Sequence, residues 1–502
     1  MVKVAHIQDI EYLRQIALLL DRENEKLIKR VQELTEEVST LRGKSADDAQ
    51  IEIQHLLEQI QENRQKIFGD SSERRPRLEQ KPQEPKKPQC GHGPRPQPLL
   101  PVAERTIELK EEARDCGVCG GYLEEMKGQA EESEEITVIE RRFALVKYKR
   151  KKYRCRCNAN VVTAPAPVKL RPGNRYSLDF AVEVACEKYL EHNPLDRQCR
   201  KMHREGLNVD PQTVWDQLNC AADILEPIYE ALDKRVMQSP LIFVDETWWR
   251  LMGKRNKEKR KWWVWGQCGP DAVFYRIRDN RSKKTAREIL SDYAGIVMVD
   301  GYGVYKSHAK DDVLFRLVHC WAHVRRKFVK AELHYPESTV VLDLIGDLYD
   351  VESDLPIWNP LHPEAEQQEC LLERKRIRKE RSSSIVDGIK DWAIAQRPLP
   401  GSSLGKAISY MFKLWSGLTS FLKDPRIPLD NNAAERSLRG IVLGRKNHYG
   451  SRSKRGTEVA ALFYSLLESA KLCGVDPKAY LRTALYESIK NPGTVILPSD
   501  LL

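Results

Sequence analysis

Leu241-Ile-Phe-Val-Asp245-Glu-Thr-Trp-Trp-Arg250-Leu-Met-Gly253 is the stretch on which the fold turns. Its β-branched and aromatic residues suit a pleated, half-buried surface, so it reads as a strand. After a basic turn, Lys261-Trp-Trp-Val-Trp-Gly-Gln-Cys-Gly269 and Ala272-Val-Phe-Tyr-Arg-Ile277 repeat the pattern and predict two further antiparallel strands. A helix is expected from Ser282 to Tyr293. Gly295-Ile-Val-Met-Val299 is then a short apolar run of the kind buried on both faces. Asp245 closes the apolar run of the first strand and Asp300 follows the fourth, which puts two acids at strand ends.

Three antiparallel strands, a helix and a further strand form the element order of a ribonuclease-H-like sheet. First and fourth strands are neighbours there, so the two aspartates can share a metal. Phosphodiester cleavage by two ions needs hard oxygen ligands, and enough carboxylates to balance cations about 3.5–4 Å apart. Two are too few. The third candidate lies in Asp430-Asn431-Asn432-Ala433-Ala434-Glu435-Arg436, where a helix begins. Glu435 has two readings: a metal ligand, or the third residue of a capping box opened by Asn432. Asp430 and Glu246 are next in line should Glu435 be structural. A lone aspartate at a strand end is most often a turn residue, but three acids in one fold shift that balance. Arg436, Arg439, Arg445 and Lys446 cluster beside Glu435 and read as DNA phosphate contacts or as a solvated helix face. Cys320-Trp-Ala-His323, just after a strand, offers only two ligands. It reads as packing beneath the acids, with a supporting polar role for His323 as the lesser reading.

Toward the amino terminus, Leu13, Leu20, Leu27, Leu34 and Leu41 recur every seven residues, with Ile10, Ala17, Asn24, Val31 and Val38 between them. Leucine at one core position, β-branched residues at the other and one asparagine favour a parallel two-stranded coil. The competing reading is an amphipathic helix packed on its own domain. Proline and charge dominate from Asp70 to Pro101, as in an extended linker. Cys116-Gly-Val-Cys119 is a knuckle whose glycine lets both sulfurs face one ion, and Cys155-Arg-Cys157 follows with a tighter bite. Four thiolates suggest a structural zinc, with Cys90 or His92 as substitutes and unliganded turn cysteines as the alternative. Arg141 to Arg156 carries nine basic residues and no acid, interleaved with Phe143, Tyr148 and Tyr153. Arg150, Lys151 and Lys152 are its candidate phosphate contacts. Two helices, Pro194 to Glu205 and Pro211 to Leu225, with Asp210 capping the second, fit a helix-turn-helix. Gln212, Thr213 and Gln217 are then either DNA-reading or packing residues.

Composition bounds the class. A chain of 502 residues is too long for one ordinary domain. The 83 Lys and Arg against 73 Asp and Glu leave a formal charge of +10, which favours a polyanionic partner. No apolar run reaches the ~18 residues of a membrane span, and the start lacks a signal-peptide core. A cytoplasmic, nucleoid-associated protein without a membrane partner is expected. Its twelve cysteines are then thiols or metal ligands.

At this point the motifs gain a common source. VDETWWRL, VDGYGVYK, HCWAHVRRKF, DNNAAERSLR, LGRKNHYGS and SLLESAKLCGVDPKAYL, in this order, resemble the insertion sequence 66 family of bacterial transposases. KIFGDSSERR, the cysteine knuckle and VVTAPAPVKL extend the likeness over nearly the whole chain. The resemblance implies a DDE triad falling on Asp245, Asp300 and Glu435, holding magnesium or manganese. It also implies an amino-terminal zinc-binding domain, from whose usual spacing Cys155-Arg-Cys157 departs. A helical insertion is implied between the second and third acids, which lie 135 residues apart.

The expected fold is multidomain α+β and α/β. It comprises a coiled-coil oligomerisation segment (1–69), a linker (70–105), a zinc-binding β module (106–170) and a helix-turn-helix-like helical domain (171–238). A ribonuclease-H-like catalytic core (239–334 and 429–502) is interrupted by the helical insertion (335–428). Expected partners are the element's terminal inverted repeats, target DNA, a second copy through the coil, and companion proteins of the same element. Two rival readings stand beside a cutting and joining transposase: a ribonuclease-H-like nuclease that does not join, and a non-catalytic zipper and zinc regulator that binds DNA. The second leaves the three acids without a purpose.

Overall fold

The computed structural model describes residues 143–154, 161–253, 261–290, 293–308, 315–399 and 401–502, with Lys29, Glu33 and Glu58 as isolated positions. The heptad leucines, the linker and Cys116, Cys119, Cys155 and Cys157 lie outside them. So does the smaller of the chain's two compact units, Arg74–Arg142.

The description begins with a hairpin, β1 (Lys152–Arg154) against β2 (Val161–Thr163). Three helices follow: α1 (Leu178–Tyr189), α2 (Leu195–Arg204) and α3 (Pro211–Met237). Asp210 caps α3 by accepting the Thr213 amide at 2.8 Å, with Pro211 in the first turn, where its missing N–H costs nothing. The expected end at Leu225 is corrected by twelve residues, because the helix runs straight through Pro227 to Met237. An interior proline costs ~3 kcal/mol. Leu225, Ile228, Leu232 and Val236 continue the helical spacing and are all fully buried, and burying one such side chain stabilises by about 1.5–3 kcal/mol. Tertiary burial therefore outweighs the local break.

The centre is a five-stranded mixed sheet of β3 (Leu241–Arg250), β4 (Lys261–Cys268), β5 (Val273–Arg278), β6 (Ile296–Val299) and β7 (Arg316–His319). Their spatial order is β5-β4-β3-β6-β7. β3, β4 and β5 pair antiparallel, whereas β6 runs parallel to β3 and to β7. α4 (Lys283–Leu290), shorter than the expected helix, carries the chain from β5 toward β6, and α5 (Gly303–His308) follows β6.

Alternation along the central strands explains how two cores form. Ile242, Val244, Val297 and Val299 belong to one apolar cluster, and Leu241, Ile296 and Met298 to the other. The first cluster takes in α1 to α3 together with α11 (Asn432–His448), α12 (Lys454–Leu472) and α13 (Pro477–Lys490). Along the outer edge of β5, Ser465 and Ser469 of α12 accept the amides of Tyr275 and Val273, each at 2.9 Å. Edge groups that would otherwise be unpaired are thereby covered. The second cluster takes in α6 (Trp321–Glu332), α7 (Ser338–Ser353), α9 (Ser383–Ala395) and α10 (Ser403–Leu418), with α8 (Glu364–Ile377) beside them. Between β7 and Glu435 the described elements are thus helical.

A buried ionic knot ties these helices together. Glu352 of α7 accepts from Arg374 of α8 at 3.0 Å and from Arg378 at 2.7 and 2.8 Å. Arg378 is fully buried and also donates to the carbonyls of Phe421, Pro425 and Ile427. A π-helical turn, Arg378–Ser382, joins α8 to α9 at this point.

Candidate active site

The parallel pairing of β3 with β6 aligns Leu241 with Ile296, Ile242 with Val297 and Phe243 with Met298. Two residues beyond this ladder lie Asp245 and Asp300, level with each other on strands about 4.8 Å apart. Asp245 Oδ1 accepts the Glu246 amide at 2.8 Å. Asp300 Oδ1 accepts the Tyr302 amide at 2.9 Å, which fixes the turn leaving β6.

Glu435 arrives on the first turn of α11, and a side-chain bond delivers that helix. Buried Asn431 spends its amide nitrogen on the Val244 carbonyl at 3.0 Å, so the start of α11 is fastened one residue from Asp245. Its backbone N–H meets Cys320 Sγ at 3.2 Å. The capping-box reading of Glu435 is corrected here. Asn431, not Asn432, is the cap residue, and the Asn432 amide is bonded to Asp430 at 3.0 Å. The Glu435 side chain instead faces α6, with His323 Nε2 3.5 Å from Oε1 and an Arg326 nitrogen 3.9 Å from Oε2. Glu435 Oε1 and, on the other side of the imidazole, His323 Nδ1 are buried without a hydrogen-bond partner.

The acids also report their proximity electrostatically. Burial, then the charges of Glu246, Asp300 and Glu435, push the Asp245 carboxyl up to about 7, although its backbone hydrogen bond pulls the other way. His323 is lowered by burial first, with Glu435 and Asp300 acting to raise it. Among the described residues no three His, Cys, Asp or Glu side chains are gathered at ligating distance of one point. The donor chemistry nevertheless fits a hard divalent cation: clustered carboxylates, one whose charge is disfavoured by burial and then by its neighbours, and another with an orphaned oxygen. The two reserve candidates are already engaged. Glu246 is buried against Arg281 at 2.6 Å and bonded to the Tyr305 hydroxyl, and Asp430 holds both amide groups of Asn432.

A stability consequence follows from Asp245. Its folded value of about 7 exceeds the ordinary 3.8, so between those values the folded state binds a proton that the unfolded state has lost. Metal-free protein should therefore lose stability as pH rises from about 3.8 to about 7. Thermal unfolding in chelator should show the slope, and Asp245→Asn should flatten it.

Several contributors had no sequence signal. Tyr410 of α10 accepts the Gly301 amide at 3.1 Å, and a side-chain carbon at Gly301 would collide with its ring. The turn holding Asp300 is thus braced from the helices between the acids. Burial and the Asp300 charge raise the Tyr410 phenol to about 12. Arg281 stacks on Tyr302 and Trp263, with 3.6 and 4.9 Å to the ring centres. Arg326 was legible in principle, since His323 and Arg326 are three apart on one helix face.

The expected DNA contacts are scattered. Arg436, Arg439 and Lys446 are exposed along α11. Arg445 is buried and bonded to Thr247 Oγ1 at 2.8 Å and to the Trp248 carbonyl. On α3, Thr213 is engaged by the Asp210 cap, Gln212 bonds Asp216 within the same helix, and buried Gln217 pairs with Asn174. Lys151 and Lys152 are exposed at β1, and Arg150 donates to the Ala164 carbonyl at 2.6 Å.

Comparison with known proteins identifies the family. The chain is 27% identical over 418 residues to "Uncharacterized protein y4hP" of Sinorhizobium fredii, covering 78% of this chain and 73% of that one. It is 28% identical over 408 residues to "Uncharacterized protein y4jD" of the same organism, covering 78% and 77%. The family described as "Transposase IS66 family" matches residues 173–459, which is more than half of the chain and contains Asp245, Asp300 and Glu435. The chain belongs to the IS66 family of transposases.

Proposed function

We propose that the chain cuts and joins DNA strands at the ends of its element, with Asp245, Asp300 and Glu435 as the carboxylates that hold magnesium or manganese. The observation that carries this reading is geometric: the parallel pairing of β3 with β6 sets Asp245 beside Asp300, and Asn431, bonded to the Val244 carbonyl at 3.0 Å, brings the first turn of α11 with Glu435 to the same place. The sheet order, with the aspartate-bearing strands adjacent, supports a ribonuclease-H-like core. When bound, divalent ions activate a water or a DNA 3′-hydroxyl and offset charge on the leaving oxygen during in-line displacement. The chain's own part is placement. The strand ladder sets the two aspartates level, Asn431 fastens the helix that carries Glu435, and Tyr410 braces the Asp300 turn. His323 and Arg326 flank Glu435 and limit its rotation. No protein nucleophile is called for, and burial holds the nearby Cys320 thiol up at about 12, far from a reactive thiolate.

Exposed Arg436, Arg439 and Lys446 offer DNA phosphate contacts running away from Glu435 along α11. Self-association through the 1–69 coil and a zinc held by Cys116, Cys119, Cys155 and Cys157 complete the proposal. Metal analysis of freshly purified protein should find one zinc per chain, lost in the Cys116→Ser, Cys119→Ser double variant; zinc-free parent protein would remove that part. A strand-transfer assay with candidate element ends tests the rest. Magnesium should support both cutting and joining, and chelator should stop both. Cutting without joining would favour the plain nuclease, and binding alone would favour the regulator.

A further inference from the structure

Along β3 and at the far end of α11 the surface exposes two aromatic rings that the proposed chemistry does not use. Trp249 of β3 is fully buried, yet its neighbour Trp248 is 42% exposed. Trp248 is not a loose surface residue. The Arg445 guanidinium lies 3.8 Å from its ring centre and is itself only 8% exposed. Thr247 and the Trp248 carbonyl hold that guanidinium in place. A largely buried cation therefore fixes an indole that still faces solvent.

Tyr449 is the second ring. It is 62% exposed and adopts the left-handed conformation, φ 62°, at the end of α11. Glycine is the residue suited to that position, and strain kept in a non-glycine residue points to a use for its side chain. The neighbouring backbone leaves little freedom. A side-chain carbon at Gly450 would collide with the Arg250 carbonyl, and Ser451 donates to that same carbonyl at 3.0 Å. Trp248 is tied to Arg445 through the guanidinium, and Tyr449 closes the last turn of the same helix, its amide donating to the Arg445 carbonyl at 2.9 Å. Arg250, Lys446 and Arg452 are exposed around them, and the sequence from Arg445 to Arg455 contains no acid.

We propose that Trp248 and Tyr449 are stacking platforms for the unpaired nucleobases of a DNA strand. Exposed rings flanked by cations bind single strands with little regard to sequence, because every base has a π-face and every linkage a phosphate. Paired bases hide those faces, so the occupant is an unwound stretch, not intact duplex. The inference rests on the DNA-processing reading above, but its test needs no cleavage.

Fluorescence anisotropy of the full chain in chelator, with a fluorescein-labelled oligothymidine and with a blunt duplex, reads the site directly. Trp248→Ala and Tyr449→Gly should each weaken oligothymidine binding about tenfold and leave duplex binding unchanged. Tyr449→Gly removes the ring and relieves the left-handed strain, so its thermal midpoint should be no lower than that of the parent. Trp248→Phe should restore most of the single-strand affinity. Asp245→Ala should keep single-strand binding whether or not it still cleaves, which separates this inference from the triad. Unchanged single-strand binding in both ring variants, or equal loss on both DNAs, would overturn the proposal. Capture of an apolar peptide at these rings, insensitive to salt, with no single-strand affinity in the parent, would do so as well.

Discussion

Asp245→Ala, Asp300→Ala and Glu435→Ala should each lower strand cleavage by about a thousandfold or more while leaving DNA binding nearly intact. Charge stabilisation by bound ions contributes several kcal/mol to such a reaction, and about 1.4 kcal/mol is a factor of ten in rate. Duplex affinity comes from a different set of groups, the exposed cations, whose contacts with phosphate scale with charge and fall with salt. Asp430→Ala should do far less, because the Asp430 carboxylate is spent on Asn432. Single-turnover cleavage of a labelled element end, read beside gel-shift affinity, separates the two effects. A triad variant that cleaves within tenfold of the parent would remove that residue from the site.

The second large effect concerns stability. Glu352→Ala should destabilise the chain by about 3–5 kcal/mol, because it leaves the guanidinium groups of Arg374 and Arg378 buried without their counter-ion. The same helices carry Tyr410 to the Asp300 turn, so cleavage should fall along with stability. Urea unfolding followed by circular dichroism measures the loss. A change below about 1 kcal/mol would mean that the carbonyls of Phe421, Pro425 and Ile427 alone suffice for Arg378.

What the sequence disclosed about this site is local in origin. The aromatic strands β3 to β5, the apolar β6 and the acids at their ends follow from patterns within a few residues. The cap at Asp210 was equally local. The far end of α3 was not, because a proline argues for a stop and only burial of Leu232 and Val236 decides otherwise. Glu435 was found by motif, but its freedom from a capping role depends on Asn431 reaching the Val244 carbonyl, 187 residues away in sequence. Tyr410 meets Gly301 across 109 residues. Contacts of that length arise only when two cores close on one sheet, and no periodicity records them. Arg445 shows the opposite error: in a basic run it looks like a phosphate contact, yet its guanidinium is spent on Trp248 and Thr247.

The central claim is that Glu435 completes a carboxylate set that holds divalent metal, and one substitution isolates it. Glu435→Gln keeps the side chain's size and its polar contact with His323, but gives up the charge that a hard cation needs. Manganese bound to the full chain on an element end, followed by electron paramagnetic resonance alongside cleavage, reads ligation and chemistry together. The account predicts that the glutamine variant loses both bound manganese and cleavage while its unfolding midpoint stays near that of the parent. Parent-like manganese binding and cleavage in that variant would contradict it.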